Sequence, residues 1–192
     1  MNLRNSQNSP IQIAEVLLEP GQGLLGLTLC PGKKDRSRHW DRDLAEDLRV
    51  IKAWGATVVV TLIEPHEFTM LGIENLEQEV RERGMVWLHL PILDVNVPDH
   101  RFETTWAVAG PALQRRLDAG ERILIHCRGG LGRTGLVAGR ILVERGCEPE
   151  AAIRRVRAVR PHAIETRAQE LYVRNSVSRM PAPVVKAAGT TA

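Results

Sequence analysis

The architecture this sequence predicts is α/β: a single domain whose central, mostly parallel sheet of four to five strands carries helices on both faces. Three observations point to it. Short β-branched runs alternate along the chain with stretches whose apolar residues recur at helical spacing. The clearest run, residues 57–63 (Thr-Val-Val-Val-Thr-Leu-Ile), has no polar face beyond two threonines, as in a parallel strand buried on both sides. A third run, 122–125, breaks into a glycine-rich turn and then into a helix-forming segment. With 192 residues, 43% of them hydrophobic, the chain can bury one sizeable core.

Taken in order, residues 1–10 are Asn- and Ser-rich and predict a flexible N-terminus, with the domain proper spanning 11–180. Segments 11–18 and 24–29 read as two short strands separated by Gly21-Gln22-Gly23. Cys30-Pro31-Gly32 closes that unit, and Lys33, Lys34, Arg36 and Arg38 form a basic cluster that reads as a solvated loop before a substrate-facing patch. Leu44, Leu48 and Ile51 mark a helix over 41–54, with acids in its first turn and Gly55 past its end. Strand 57–63 then delivers a loop, Glu64-Pro65-His66-Glu67. Such loops border ligand sites in open α/β sheets, although an ordinary solvated loop fits these residues better. A second helix is predicted over 73–83 and a strand over 85–92, with His89 reading as a packing histidine. The loop 93–100 carries Asp94, Asp99 and His100. Phe102, Trp106, Val108, Leu113 and Leu117 predict a helix over 102–119 that Pro111 should kink or break. Beyond the strand at 122–125, apolar residues 136–143 predict a helix running through the core. Pro149 opens a further helix to about 159, and Thr166 a last one over 167–179. The Pro-, Ala- and Thr-rich stretch 181–192 predicts a disordered tail.

The run His126-Cys127-Arg128-Gly129-Gly130-Leu131-Gly132-Arg133-Thr134-Gly135 carries the chemistry. A loop of this length between strand and helix can aim several backbone N–H groups inward, its three glycines permitting dihedrals that other residues resist. The helix that follows places its positive dipole end at the same spot, which favours a bound tetrahedral anion and a thiolate at Cys127. Arg133 supplies a planar fork for two oxygens of a phosphate, Thr134 a hydroxyl near the sulfur, and His126 orients the loop.

His-Cys-x5-Arg-Thr after an apolar strand resembles the signature loop of the cysteine-dependent protein tyrosine phosphatase superfamily. Within it, Leu29-Cys30-Pro31-Gly32-Lys33, Pro91-Ile92-Leu93-Asp94 and the loop from His126 to Arg133 are similar to the kinase-associated group of dual-specificity phosphatases. The resemblance covers most of residues 24–173 and implies a phosphotyrosine protein phosphatase-like fold. It also implies hydrolysis of a phosphate monoester through a phosphocysteine, with Cys127 as nucleophile. Arg133, His126 and the loop Arg128, Gly129, Gly130, Leu131 and Gly132 would form the substrate cradle. A leaving oxygen needs a proton, and a carboxylic acid on a mobile loop supplies one. Asp94 is favoured because it directly follows a strand and precedes Cys127 at a separation like that in dual-specificity phosphatases. Asp99 is the competitor, with an N-cap role as its other reading, and His100 is a third candidate. The segment from Arg160 to Gln169 is similar to the region after the signature helix in this superfamily, which implies that Gln169 positions the hydrolytic water.

No cofactor or metal is implied, because Arg133 and the loop amides supply the positive charge. Expected partners are a phosphorylated protein or a small phosphate ester. Arg128 adds charge at the rim and Gly132-Arg133-Thr134-Gly135 is similar to phosphoinositide phosphatases, but Leu131 stands where those often carry a second basic residue, so phosphoprotein leads. A phosphate-binding pseudophosphatase is the alternative of another class, and the intact Cys127, Arg133 and Asp94 argue against it. Thiol redox chemistry or sulfur transfer would not require Arg133. The net charge of +3 fits an anionic substrate or an ordinary solvated surface, and no nucleic-acid partner is expected. Cys30, Cys127 and Cys147 are too few and too scattered for a disulfide framework. They fit a reducing, cytoplasmic setting, with Cys30 read as a small buried residue before a redox partner of Cys127. No run approaches the roughly 20 apolar residues of a membrane span, and the first residues lack a signal-peptide core.

Overall fold

A computed structural model describes residues 3–177. Its core is a five-stranded sheet built from β1 (Ala14–Leu17), β2 (Leu24–Thr28), β5 (Ala56–Thr61), β6 (Val86–His89) and β7 (Arg122–His126), in the order β1-β2-β7-β5-β6. Only β1 runs antiparallel; β2, β7, β5 and β6 are mutually parallel. Val58, Val59 and Val60 are all fully buried, as are Ile123, Leu124 and Ile125. Consecutive residues of a strand point to opposite faces, so both faces of the sheet are covered, as the β-branched run predicts.

Helices α1 (Leu44–Ala53) and α3 (Leu76–Glu82) pack on the β5–β6 half, and α4 (His100–Asp118), α5 (Gly132–Glu144) and α6 (Pro149–Val159) on the rest. Every residue of α5 is buried, so it forms the central helix, flanked by α6 and α7 (Arg167–Arg174). Its Arg140 is held by Glu144 at 2.9 Å and by the Glu103 carboxylate at 2.7 and 2.9 Å.

Four elements depart from expectation. Residues 64–67 are not a plain loop: Pro65 starts a short helix, α2 (Pro65–Leu71), because proline's fixed φ suits a first helical turn and Glu67 accepts the Glu64 backbone N–H at 2.8 Å. Helix α4 runs unbroken through Pro111, which costs one internal hydrogen bond while Phe102, Trp106, Leu113 and Leu117 anchor both sides of it in the core. The basic cluster folds into a small hairpin, β3 (Lys34–Asp35) with β4 (Trp40–Asp41), joined by a 3-10 turn at Arg36–Arg38. Helix α7 ends at Arg174, capped by Asn175, short of the predicted 179.

Residues of the N-terminal segment contact the domain. Arg4 pairs with the backbone of His39 and Asp41 and lies over the Trp40 ring. Ser6 donates to Asp47 at 2.8 Å, and that buried carboxylate also takes the Arg42 fork at 2.7 Å twice and the Gly32 N–H at 2.9 Å. The predicted tail at 181–192 lies outside the described residues.

Candidate active site

The carboxyl ends of β5, β6 and β7 open onto one cluster, where α/β sheets place their ligands. At the end of β7, His126 is fully buried, and its Nε2 pairs with Thr61 Oγ1 at 2.8 Å; that hydroxyl also accepts from Trp87 Nε1 at 2.9 Å. Burial pushes the imidazole down to about 3, so it is neutral at physiological pH. His126 therefore stitches three strands together behind the loop. That is where a residue that orients the loop would sit.

Cys127 follows, 3% exposed, and the Gly130 N–H donates to its Sγ at 3.2 Å. Of the three glycines, Gly130 is the one the turn demands. Its φ is +70° and a Cβ there would come within 2.3 Å of the Thr28 carbonyl oxygen. At Gly129 a Cβ would meet open space, so the expected need for glycine does not hold at that position. The loop ends at the N-terminus of α5, which adds its dipole.

Arg133 is 1% exposed and fixed by a second carboxylate that the sequence left in a solvated loop. Its Nη1 and Nη2 pair with Glu67 at 2.5 and 3.0 Å, and Nη1 also donates to the Ile92 carbonyl at 3.1 Å. Burial opposes the Arg133 charge, but the Glu67 hydrogen bonds outweigh it and hold the guanidinium firmly protonated. For Glu67, burial favours the neutral acid, and the pairing with Arg133 wins and keeps its carboxyl below the usual range. Arg133 Nε and Thr134 Oγ1 are buried without a hydrogen-bond partner in the protein, which leaves both available to a group entering the loop.

From the β6 side, Asp94 brings Oδ1 to within 2.9 Å of Arg133 Nη2, with its side chain half exposed. Asp99 instead caps α4, accepting from Phe102 N at 3.0 Å and Arg101 Nε at 2.8 Å; these bonds hold its carboxyl below the usual range. Gln169 is fully buried in the capping box of α7. Its Oε1 accepts from Glu165 N at 3.0 Å and Thr166 N at 3.4 Å, and its Nε2 reaches across to the Asn96 carbonyl at 3.0 Å. The amide thus ties the Asp94 loop to α7 and keeps one N–H to spare.

The residues of the chain from 40 to 173 match the family model described as "Swiss Army Knife protein, DSP-PTPase phosphatase domain". The chain belongs to this phosphatase family. Cyclin-dependent kinase inhibitor 3 of Mus musculus is 31% identical over 173 residues, covering 88% of this chain and 80% of that protein. A kinase associated phosphatase, with its catalytic-site cysteine replaced by serine, superposes with a TM-score of 0.77 at 29% identity, over 86% of this chain and 93% of the other. Tk-PTP in its active form superposes with a TM-score of 0.63 at 27% identity, over 83% of this chain and 93% of the other. The expected α/β phosphatase fold and dual-specificity class both stand.

In this phosphatase the structure brings Cys127, Arg133 and Asp94 together, with Thr134 and the loop Gly129, Gly130, Leu131 and Gly132 around them. Arg128 is not a free rim cation, since its fork is taken by the buried Asp35 at 2.7 and 3.2 Å. Burial raises the Cys30 thiol well above its ordinary range, which suits a packing residue. The sequence offered Glu67 as part of a loop of the kind that borders a ligand site and Lys33 as part of a basic cluster, with a solvated loop favoured for both, and it gave Asn96 no role. Among the described residues, no helix is long and apolar enough to cross a membrane.

Proposed function

We propose that this chain hydrolyses phosphate monoesters on proteins through a phosphocysteine at Cys127. The Cys127 thiolate attacks phosphorus, forming the S–P bond as the P–O bond to the substrate breaks, and Asp94 gives its proton to the departing oxygen. The loop N–H groups and Arg133 take the equatorial oxygens. Asp94, now a carboxylate, removes a proton from water as that water attacks phosphorus. The S–P bond breaks, phosphate leaves, and the thiolate returns with Thr134 as its hydrogen-bond donor. Gln169 serves this sequence by holding the Asp94 loop through Asn96, and its remaining N–H is free to orient the water.

The observation that carries this reading is the 2.9 Å approach of Asp94 to the same Arg133 whose loop places an N–H on the Cys127 sulfur. The engagement of Arg128 with Asp35 favours phosphoprotein over phosphoinositide, because this rim arginine is already paired and is not free for a polyanionic headgroup. The three free cysteines fit a reducing, cytoplasmic setting. Hydrolysis of an aryl phosphate with EDTA present tests the proposal, comparing wild type, Cys127→Ser, Asp94→Asn and Asp99→Asn. Vanadate-sensitive turnover that Cys127→Ser abolishes and Asp94→Asn lowers by about 100-fold is expected. Turnover surviving in Cys127→Ser overturns the mechanism, and a loss in Asp99→Asn alone overturns the acid assignment. Phosphopeptides and phosphoinositides assayed side by side decide the substrate class.

A further inference from the structure

We propose that Lys33 and Arg160 are positioning residues that turn the amides of the 128–131 loop toward phosphate by holding its carbonyls from behind, an inference that rests on the phosphatase reading above. All peptide bonds among the described residues are trans, so each C=O points opposite to the N–H of the next residue. Whatever fixes a carbonyl on the outside of the loop fixes the following N–H on the inside.

Each carbonyl from 128 to 131 has an outside partner. The Arg128 oxygen accepts from Lys33 Nζ at 3.1 Å and from Cys30 N at 3.4 Å. The Gly129 and Gly130 oxygens accept from the two ends of one guanidinium, Arg160 Nη2 at 3.2 Å and Nε at 3.0 Å. The Leu131 oxygen accepts from Gly135 N at 2.8 Å and Ile164 N at 3.4 Å. The N–H groups of Gly129, Gly130, Leu131 and Gly132 are therefore directed to the other side. Gly130 shows which side that is, because its N–H is on the Cys127 sulfur.

Lys33 and Arg160 are unusual cations for this protein. Lys33 is 4% exposed and Arg160 part-buried, and among the described residues neither forms a salt bridge, whereas Arg128, Arg133, Arg140 and Arg157 each have a carboxylate partner. A buried cation without a carboxylate is costly unless its donors meet strong acceptors. Here those acceptors are the loop carbonyls, so the charge that these cations keep is delivered to the underside of the anion cradle. They arrive from distant segments: Lys33 just before β3, Arg160 as the C-cap of α6. The neighbouring Asp35 carboxylate is occupied by Arg128 and Ser37, which leaves Lys33 to the loop.

The test uses the full chain with Lys33→Met, Arg160→Leu and Arg160→Lys. It reads the inhibition constant of orthovanadate, KM and kcat for an aryl phosphate, and Tm without ligand. The vanadate constant and KM should rise about tenfold or more in Arg160→Leu and about threefold in Lys33→Met, with a smaller change in kcat. Arg160→Lys, which can hold one carbonyl in place of two, should fall between wild type and Arg160→Leu. A folded Arg160→Leu variant with a vanadate constant within twofold of wild type overturns the clamp. If that variant does not fold, a wild-type vanadate constant in Arg160→Lys overturns it. Absence of turnover in the wild type would count against the phosphatase reading alone. The clamp would then be judged by amide shifts of residues 129–132 on adding inorganic phosphate, which should shrink in the same variants; undiminished shifts would overturn it.

Discussion

Replacing Glu67 by Gln perturbs the site at the bond on which its geometry most depends. The Glu67–Arg133 pair is buried on both sides, at 3% and 1% exposure, and its two hydrogen bonds measure 2.5 and 3.0 Å. Glutamine keeps the volume but loses the charge, and its NH2 end turns a donor toward a guanidinium that can only donate. Arg133 would remain charged and buried, with the Ile92 carbonyl and half-exposed Asp94 as its nearest acceptors. Breaking one side of such a pair costs about 3–5 kcal/mol. Retention of one acceptor places Glu67→Gln at the lower end, about 3 kcal/mol. At roughly 2–4 °C per kcal/mol for a domain of this size, Tm should fall by about 6–12 °C. A tetrahedral anion would replace the missing carboxylate as partner, so saturating tungstate should raise Tm more in the variant than in wild type. Catalysis should still suffer: a guanidinium no longer held in its plane should lower kcat/KM by about tenfold or more. Differential scanning fluorimetry with and without tungstate, alongside aryl phosphate kinetics, measures both effects. A Tm drop under about 2 °C with unchanged kcat/KM would refute the view that Glu67 sets the Arg133 geometry.

Other residues give independent tests. Asp47→Ala leaves the buried Arg42 fork, the Gly32 N–H and the Ser6 hydroxyl without their common acceptor. Urea denaturation should show a loss of about 3–5 kcal/mol. Val95, next to Asp94, holds φ at +56°, a strained region for a β-branched residue. Because relief of about 1–2 kcal/mol of strain exceeds glycine's backbone entropy cost of about 0.5–1, Val95→Gly should stabilise the fold slightly in the same urea assay. Burial lowers Lys33 to about 8, offset in part by Cys30, Asp35 and Cys127 and reinforced by Arg128. Lys33 is thus charged below about pH 8 and neutral above it. The affinity for tungstate, whose charge is constant in this range, should weaken as pH rises through 8 in wild type and lose that step in Lys33→Met, as read by fluorimetric titration.

The legible part of this protein is the part written in contiguous residues. Short β-branched and apolar runs located the five strands of the main sheet and helical spacing most helices, because one buried strand or one amphipathic face is a local property. The loop from His126 to Gly135 was readable for the same reason: nucleophile, turn glycine, phosphate fork and helix start lie in a single run. Pro65 was misread because its N-terminal helix signal and its loop signal look alike without the Glu67 cap, and α4 outlasted Pro111 because core packing outweighed one lost hydrogen bond.

What lay beyond the sequence is what depends on convergence. Glu67, Asp94, Lys33 and Arg160 come from four separate segments; Asp94 was legible from its place after a strand and its separation from Cys127, but no spacing rule ties the other three to Cys127 or Arg133. Their charges acquire roles only through distances of about 3 Å, set when the parallel strands align their carboxyl ends and α5 seats behind them. The same packing seats His126 behind the loop and pairs Arg128 with Asp35. Sequence alone determined that a thiol, an arginine and a ring of amides share one loop. Tertiary structure decided which carboxylate holds the arginine, which acid reaches it and which cations keep the loop turned toward phosphate, since burial and short-range hydrogen bonding exist only once distant segments meet.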